Sequence, residues 1–374
     1  MKAHEVPFSR PHLPRSILQK LSKVLESGWI TTGPKTKEFE NEFGKLVNSK
    51  FNIAVSSCTA ALHLAYLVID LKPGDEVIVP SFTFCSTVNM IVHTGATPVF
   101  CDIDESTLCL DPKDVVKKIT SKTKAIVVVH FAGMPADMDQ LNKIAKDKKL
   151  IIIEDAAHAF LTKYKNKYIG NGKNITCFSF YATKNLTTVE GGLITTSNTY
   201  LADKMRILSM HGISRHAWNR YAKNGSWKYD VLLPGYKYNM PDLLAVIGIE
   251  QLKVAKKSRE KRLKLVKRYF EKLSRNKHIL LPINPTNKGS EHAWHLFTIR
   301  IQKSAKINRD ELIEKLKNNG IGTSVHFIPN HWQRFYRQTS GKDLKLPATE
   351  KVFESIISLP LYEDMSLSDV VRSS

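Results

Sequence analysis

Lys184 lies in the run FSFYATKNLTTVEGG, just after a strand-like segment and among small and polar residues. A lysine amine with a lowered pKa attacks a carbonyl carbon and forms a Schiff base. A solvated loop lysine is the plain alternative. Asp155 closes the apolar run LIIIED. A carboxylate there acts as a base, a metal ligand or the partner of a cationic ring nitrogen, or it only caps the following helix. Ser57-Cys58-Thr59 opens a strand-to-helix turn. The first N–H groups of a helix lack intrahelical acceptors and carry partial positive charge, so they suit a phosphate. Ser57 as a mere N-cap is the alternative. Phe84 follows a second strand-like run, and Ser179 lies at the end of ITCFSF.

In chain order these residues make a phosphate cradle, an aromatic face, an acid and a lysine. Pyridoxal 5′-phosphate needs all four: a phosphate site, a surface for its ring, an anion at its ring nitrogen and an amine for its aldehyde.

The elements that must position them alternate. Seven β-rich runs occupy 51–57, 76–80, 97–103, 125–131, 150–155, 175–180 and 191–196. Several are apolar throughout, as strands covered on both faces are. Amphipathic stretches at 59–70, 83–94 and 137–148 fall between them. This alternation predicts an α/β domain with a mostly parallel, seven-stranded sheet, and ligands of such sheets bind beyond the strands' carboxyl ends. A long helix over 240–275, opened by Pro241, leads to a different texture. A strand-like run at 292–301, a helix at 308–319, a short strand GTSVHF (322–327) and a helix at 347–357 predict a smaller α+β domain. The division expected is 1–250 and 251–374.

The 374 residues are 42% hydrophobic and 24% charged, which excludes a mainly disordered chain. No run approaches the ~18 apolar residues of a membrane span, and the N-terminus shows no apolar signal region. Five cysteines, Cys58, Cys85, Cys101, Cys109 and Cys177, form no CxxC pair and no zinc spacing. They read as reduced thiols of a cytoplasmic protein with no metal site. The net charge of +21 admits acidic partners. Its densest run, 253–277, has apolar residues at helical spacing and reads as a solvated helix face rather than a nucleic-acid surface.

The chain also resembles the DegT/DnrJ/EryC1/StrS family of pyridoxal-phosphate-dependent nucleotide-sugar aminotransferases nearly end to end. GWITTGPKTKEFENEF (28–43), SSCTAALHLA (56–65), PGDEVIVPSFTFCSTVNMI (73–91), GATPVFCDID (95–104), EDAAHA (154–159), FSFYATKN…EGG (178–192) and GYKYNMPDLLAVIGIEQL (235–252) carry the likeness. GIGTSVHFIP (320–329) and LPATEKVFESIISLPLY (346–362) extend it. The resemblance implies the aspartate-aminotransferase-like fold type I. It makes Lys184 the lysine that binds the cofactor aldehyde and shuttles the proton, and Asp155 the acid at the pyridinium nitrogen. His158 falls near the ring oxygen and Phe84 on the ring face. Ser179 falls on the phosphate beside the amides of Cys58 and Thr59.

The resemblance further implies a homodimer with shared active sites. GYKYNM would reach the neighbour's phosphate through Lys237, or through Asn239 in its stead. Glutamate and 2-oxoglutarate, with pyridoxamine phosphate between the half-reactions, would supply the amine. The substrate implied is a nucleotide-linked 4-keto sugar aminated at C-4, for lipopolysaccharide, capsule or another glycan. His158 and the GYKYNM form favour that branch over a C-3 enzyme. Thr31, Thr32, His326 and His331 are the side chains expected to set the sugar's angle, against plainer readings as turn and strand-end hydrogen bonds. Cys58 and Val189 stand where the family commonly has Gly, and Lys237 where it often has Asn. The rivals are a sugar dehydratase, which Lys184 argues against because those members carry His there, a non-catalytic member, and a basic nucleic-acid-binding protein.

Overall fold

The computed structural model describes residues 5–214, 228–339 and 343–374. Five strands come first: β1 (Phe51–Val55), β2 (Glu76–Pro80), β3 (Thr97–Cys101), β4 (Thr123–Val129) and β5 (Ile151–Asp155). A hairpin, β6 (Lys163–Tyr164) and β7 (Lys167–Tyr168), precedes β8 (Ile175–Ser179) and β9 (Gly192–Thr196). The seven-stranded sheet has the order β1-β9-β8-β5-β4-β2-β3. Only β9 runs against the rest, pairing antiparallel with both β1 and β8. The six other strands therefore send their carboxyl ends to one edge.

Each strand feeds alternate residues to opposite faces. Val77, Val127 and Ile153 enter one apolar cluster, and Ile78, Val128 and Ile152 enter the other. Helices cover both faces, as all-apolar strands require. In chain order they are α1 (Ser16–Glu26), α2 (Pro34–Val47), α3 (Cys58–Val68), α4 (Cys85–His93), α5 (Pro112–Lys118), α6 (Met138–Lys148) and α7 (Thr199–Leu208). The buried residues of α3, α4 and α7 join the first cluster, while those of α5 and α6 join the second.

The helix α8 (Asp242–Leu273) is 32 residues long. Its first half, with Ala245 and Ile249, packs with α2 over the large sheet. Its second half, with Leu265, Tyr269 and Leu273, packs on the antiparallel sheet β10 (Ile279–Leu280), β11 (Phe297–Ile301) and β12 (Ile356–Leu359). The same helix thus belongs to both cores.

The expected strand GTSVHF does not form. Ser324 and Ser358 exchange two backbone bonds, of 3.1 and 2.8 Å, and the chain then leaves the sheet edge. That departure carries His326 and Phe327 toward the carboxyl edge of the large sheet. The third strand of the small sheet is β12, which follows α11 (Pro347–Ser355) directly; α9 (Arg309–Asn318) and α10 (Arg334–Thr339) precede it.

Candidate active site

The turns after β1, β2, β5 and β8 meet at a cavity of about 350 Å³. Cys58, Thr59, Phe84, Asp155, His158, Ser179, Lys184 and His326 all line it. Residues distant in sequence are brought together because parallel strands end on a common edge.

Ser57 is the N-cap of α3, its side chain accepting from Ala60 N. This orients the N–H groups of Cys58 and Thr59 outward at the positive end of the helix dipole. The Cys58 thiol points away toward β8, reaching Cys177 O at 3.7 Å. The side chain that stands in place of a glycine therefore leaves the amides clear. Beneath the turn, a Cβ on Gly192 would lie 2.4 Å from Ser57 C and 2.7 Å from Cys58 N, so only glycine permits this approach.

Asp155 is 5% exposed at the end of β5. Oδ2 accepts from Thr87 Oγ1 at 2.7 Å and Oδ1 from Ala157 N at 3.0 Å. Burial raises its pKa, and these bonds, with Lys184 and His130, oppose the rise. Lys184 follows β8 in a turn closed by Lys184 N donating to Tyr181 O at 2.9 Å. Desolvation lowers its amine to about 8, against the opposing pull of Cys58 and Asp155.

His158 accepts from Ala132 N through Nδ1 at 3.2 Å, which puts its ring proton on Nε2. Burial first, then Lys184 and His326, hold its pKa well below the ordinary value, so the ring is neutral. It stacks on Phe327 with centroids 5.9 Å apart. Phe84 is 56% exposed at the N-cap of α4 and meets Phe327 at 5.9 Å. His326 bonds Ser358 Oγ at 2.8 Å, and burial lowers its pKa to about 4.

The remaining candidates lie elsewhere. Thr32 Oγ1 accepts from Asn239 Nδ2 at 2.5 Å and donates to Met240 O at 2.6 Å. Thr31 O accepts from Asp242 N at 3.1 Å. Buried Asp242 also caps α2, taking Gly33 N and Thr36 N at 2.8 Å each. Lys237 is exposed, its Nζ 3.8 Å from Met210 Sδ. Thr31, Thr32, Lys237 and Asn239 do not line the cavity of Lys184; Thr32 and Asn239 line a second one of about 340 Å³. Backbone bonds still tie this loop to the cradle, through Ser56 N to Tyr238 O at 2.7 Å. His331 is buried outside the cavity, where it bonds Ser81 Oγ at 2.7 Å and Glu350 at 3.3 Å.

Sequence reasoning missed Thr87, His295 and the N-terminal pair Phe8 and Ser9. Thr87 sits three residues past Phe84 in the first turn of α4, a helical spacing that was open to view. His295 has its ring 4.4 Å from His158 and its Nδ1 3.2 Å from the Oδ1 of Asn185, the residue after Lys184. Phe8 and Ser9 enter the cavity wall from the N-terminal segment, which Val6 anchors through Val6 N to Gly320 O at 2.8 Å. The last two are long-range contacts with no local sequence signal.

The donor set fits pyridoxal phosphate: free helix amides and the Ser179 hydroxyl for a phosphate, a buried carboxylate for a ring nitrogen, and a desolvated amine for an aldehyde. Among the described residues, no group of His, Cys, Asp and Glu is arranged to hold a metal ion.

A mostly parallel sheet whose carboxyl edge gathers these groups defines a fold type I pyridoxal-phosphate enzyme. The profile of the DegT/DnrJ/EryC1/StrS aminotransferase family matches residues 11–373, and the chain belongs to that family of pyridoxal-phosphate-dependent aminotransferases. It is 46% identical to the spore coat polysaccharide biosynthesis protein SpsC of Bacillus subtilis, over 98% of this chain and 95% of that one. Spr1654 of Streptococcus pneumoniae, solved in PLP- and PMP-forms, superposes with a TM-score of 0.92 at 33% identity, covering 98% of this chain. The PMP-form is covered over 95% of its length and the PLP-form over 96%. Helicobacter pylori PseC, an aminotransferase involved in the biosynthesis of pseudoaminic acid, gives a TM-score of 0.91 at 27% identity, over 98% and 96% of the two chains.

Proposed function

We propose that this aminotransferase moves an amino group from glutamate onto the C-4 keto carbon of a nucleotide-diphosphate sugar, for the synthesis of a surface polysaccharide. One observation carries the chemistry: the desolvated Lys184 amine and the buried Asp155 carboxylate face the same cavity as the α3 N-terminus. The likeness to a polysaccharide biosynthesis protein and to a sugar-pathway aminotransferase supports the substrate class. The five free thiols suit a reducing compartment, and the proposed location is the cytoplasm.

The cofactor, when bound, supplies an electron sink for the carbanion formed next to the migrating nitrogen. The residues do the rest. The amides of Cys58 and Thr59 and the Ser179 hydroxyl would hold the phosphate end. Asp155 would keep a proton on the ring nitrogen by presenting a carboxylate to it. His158, neutral, would offer Nε2–H to the ring oxygen, and Phe84 would cover the ring face. Lys184 takes and returns the proton at the reacting carbon, a role that needs an amine titrating near the working pH. The +21 net charge draws an anionic diphosphate in preference to a neutral sugar. His326, beside Phe8 on the cavity wall, helps set the angle at which the sugar enters.

The active unit is a homodimer. Lys237, or Asn239 in its stead, reaches the phosphate of the partner's site, and Thr31 and Thr32 beside Asn239 help set the angle of the sugar. In support, Lys237 and Thr31 are exposed, and none of the four lines the cavity of its own chain.

Matched 4-keto and 3-keto nucleotide sugars offered with glutamate test the reading, with the position of the new amine determined by NMR. Amination at C-4 is expected. Amination only at C-3 replaces the regiochemistry, and turnover of free keto acids with no nucleotide sugar consumed overturns the substrate class.

A further inference from the structure

From Thr83, on the cavity wall, a chain of buried hydroxyls runs through Thr87 to Asp155. Thr87 Oγ1 lies 2.7 Å from Asp155 Oδ2, and Thr83 Oγ1 lies 3.0 Å from Thr87 Oγ1. The two threonines are 0% and 2% exposed, so water does not complete the set. Each hydroxyl has one proton to give. An ionised carboxylate only accepts, so Thr87 donates to Asp155. Thr83 must then donate to Thr87. The order of donation is consistent only in that direction while Asp155 is charged.

Thr87 is held on its other sides as well. Tyr66 Oη donates to Thr87 O at 3.0 Å, and Thr87 N donates to Phe84 O at 3.1 Å. Thr83 O in turn accepts from Asn330 Nδ2 at 2.8 Å, and Asn330, 1% exposed, also gives a bond to Ser81 O. Asn330, from the C-terminal part of the chain, thus fixes the backbone at Thr83, and the hydroxyl chain runs from Thr83 to the carboxylate.

We propose that Thr87 is a positioning residue that aims Asp155 and keeps its carboxylate ionised, with Thr83 and Asn330 holding Thr87 in place. This rests on the reading that Asp155 serves the cofactor ring nitrogen. A buried carboxylate tends to take up a proton, which would leave it a donor where an acceptor is needed. The titratable groups facing Asp155 are Lys184 after β8, His130 after β4, Cys177 on β8, and Cys58 and Tyr66 on α3. None of them donates a bond to it; Thr87 and Ala157 N do.

The test uses Thr87→Val, which keeps the shape and removes the hydroxyl, and Thr87→Ser, which restores it. In the apo-protein, carbon-13 NMR follows the Asp155 carboxyl, identified by its loss in Asp155→Asn. Asp155 is expected to titrate at higher pH in Thr87→Val and near the wild-type value in Thr87→Ser. In the holoenzyme, Thr87→Val is expected to lower kcat about tenfold, the scale of one hydrogen bond to a charged group. KM for the sugar stays within about twofold, and Thr87→Ser recovers most of the loss. In an Asp155→Asn background, Thr87→Val should cost no more than about twofold, because its effect passes through the carboxylate.

Should Thr87→Val not fold, Thr83→Val removes the upstream donor, and a smaller shift of the same sign is expected. An unmoved Asp155 titration in a folded variant, or full additivity with Asp155→Asn, overturns the inference. A moved titration with unchanged kcat upholds Thr87's hold on Asp155 and overturns the role given to Asp155 in the reaction.

Discussion

Thr187 Oγ1 accepts the N–H of Val189 at 2.9 Å, and this bond closes a turn in which a β-branched residue sits at φ 73°. Left-handed backbone is a steric outlier for valine. The turn lies between Lys184 and the Glu190-Gly191 pair on the cavity wall. Such strain amounts to about 1–3 kcal/mol, offset in part by the extra unfolded-state freedom of a glycine. Val189→Gly is therefore expected to stabilise the apo-protein by about 1 kcal/mol, or about 1–2 °C in thermal midpoint. A lower midpoint would show that the turn is not strained.

The Lys184 amine, at about 8 in the folded chain, loses its proton well below its ordinary 10.5. Uptake of pyridoxal phosphate by the apo-protein should quicken as pH rises through about 8 and then level off. Between those two values the unfolded chain binds more protons, so this group's contribution makes the apo-protein more stable as pH rises. Lys184→Ala should abolish transamination and also remove the pH step in uptake. Borohydride reduction of the wild-type holoenzyme should attach the cofactor to the peptide that holds Lys184, and labelling of another peptide would refute the assignment.

Asp155→Asn keeps the size of the side chain but removes the charge and one of the two oxygens that accept from Thr87 and Ala157 N. Turnover should fall about 10²–10³-fold, the usual scale for a preorganised electrostatic contact. Phosphate contacts are untouched, so cofactor retention on dialysis should change little. Near-normal kcat would reduce Asp155 to a structural cap.

The proposed sharing of active sites between two subunits gives a complementation test. Lys184→Ala chains and Lys237→Ala chains, each impaired alone, should regain activity when mixed, because one of the two sites in each hybrid dimer is intact. No recovery, with subunit exchange demonstrated by mass spectrometry, would place Lys237 outside the partner's site.

His331 bridges Ser81, at the end of β2, to Glu350 on α11. His331→Ala leaves both partners short of a bond and should cost about 1–3 kcal/mol of stability. A large rise in KM for the sugar with unchanged stability would instead place its ring on the substrate.

Strand runs, helix spacing and the chain order of cradle, aromatic, acid and lysine were legible because each depends on a few neighbouring residues. Periodicity sets which face a residue takes, and a turn at a strand's carboxyl end needs only local chemistry. GTSVHF was misjudged for the same reason: its pattern suits a strand, but Ser324 and Ser358 exhaust the pairing and the chain turns to deliver His326.

By itself, then, the sequence determined the α/β alternation, the candidate lysine and carboxylate, and the strand-to-helix turn proposed to hold a phosphate. Tertiary structure alone decided which side chains share a cavity. It set His158 neutral with its proton on Nε2, brought His295 and Phe8 to the wall, and sent His331 and Thr32 elsewhere. The physical reason is that tautomer, pKa and proximity depend on burial and on partners tens to hundreds of residues away, and no local pattern encodes those distances.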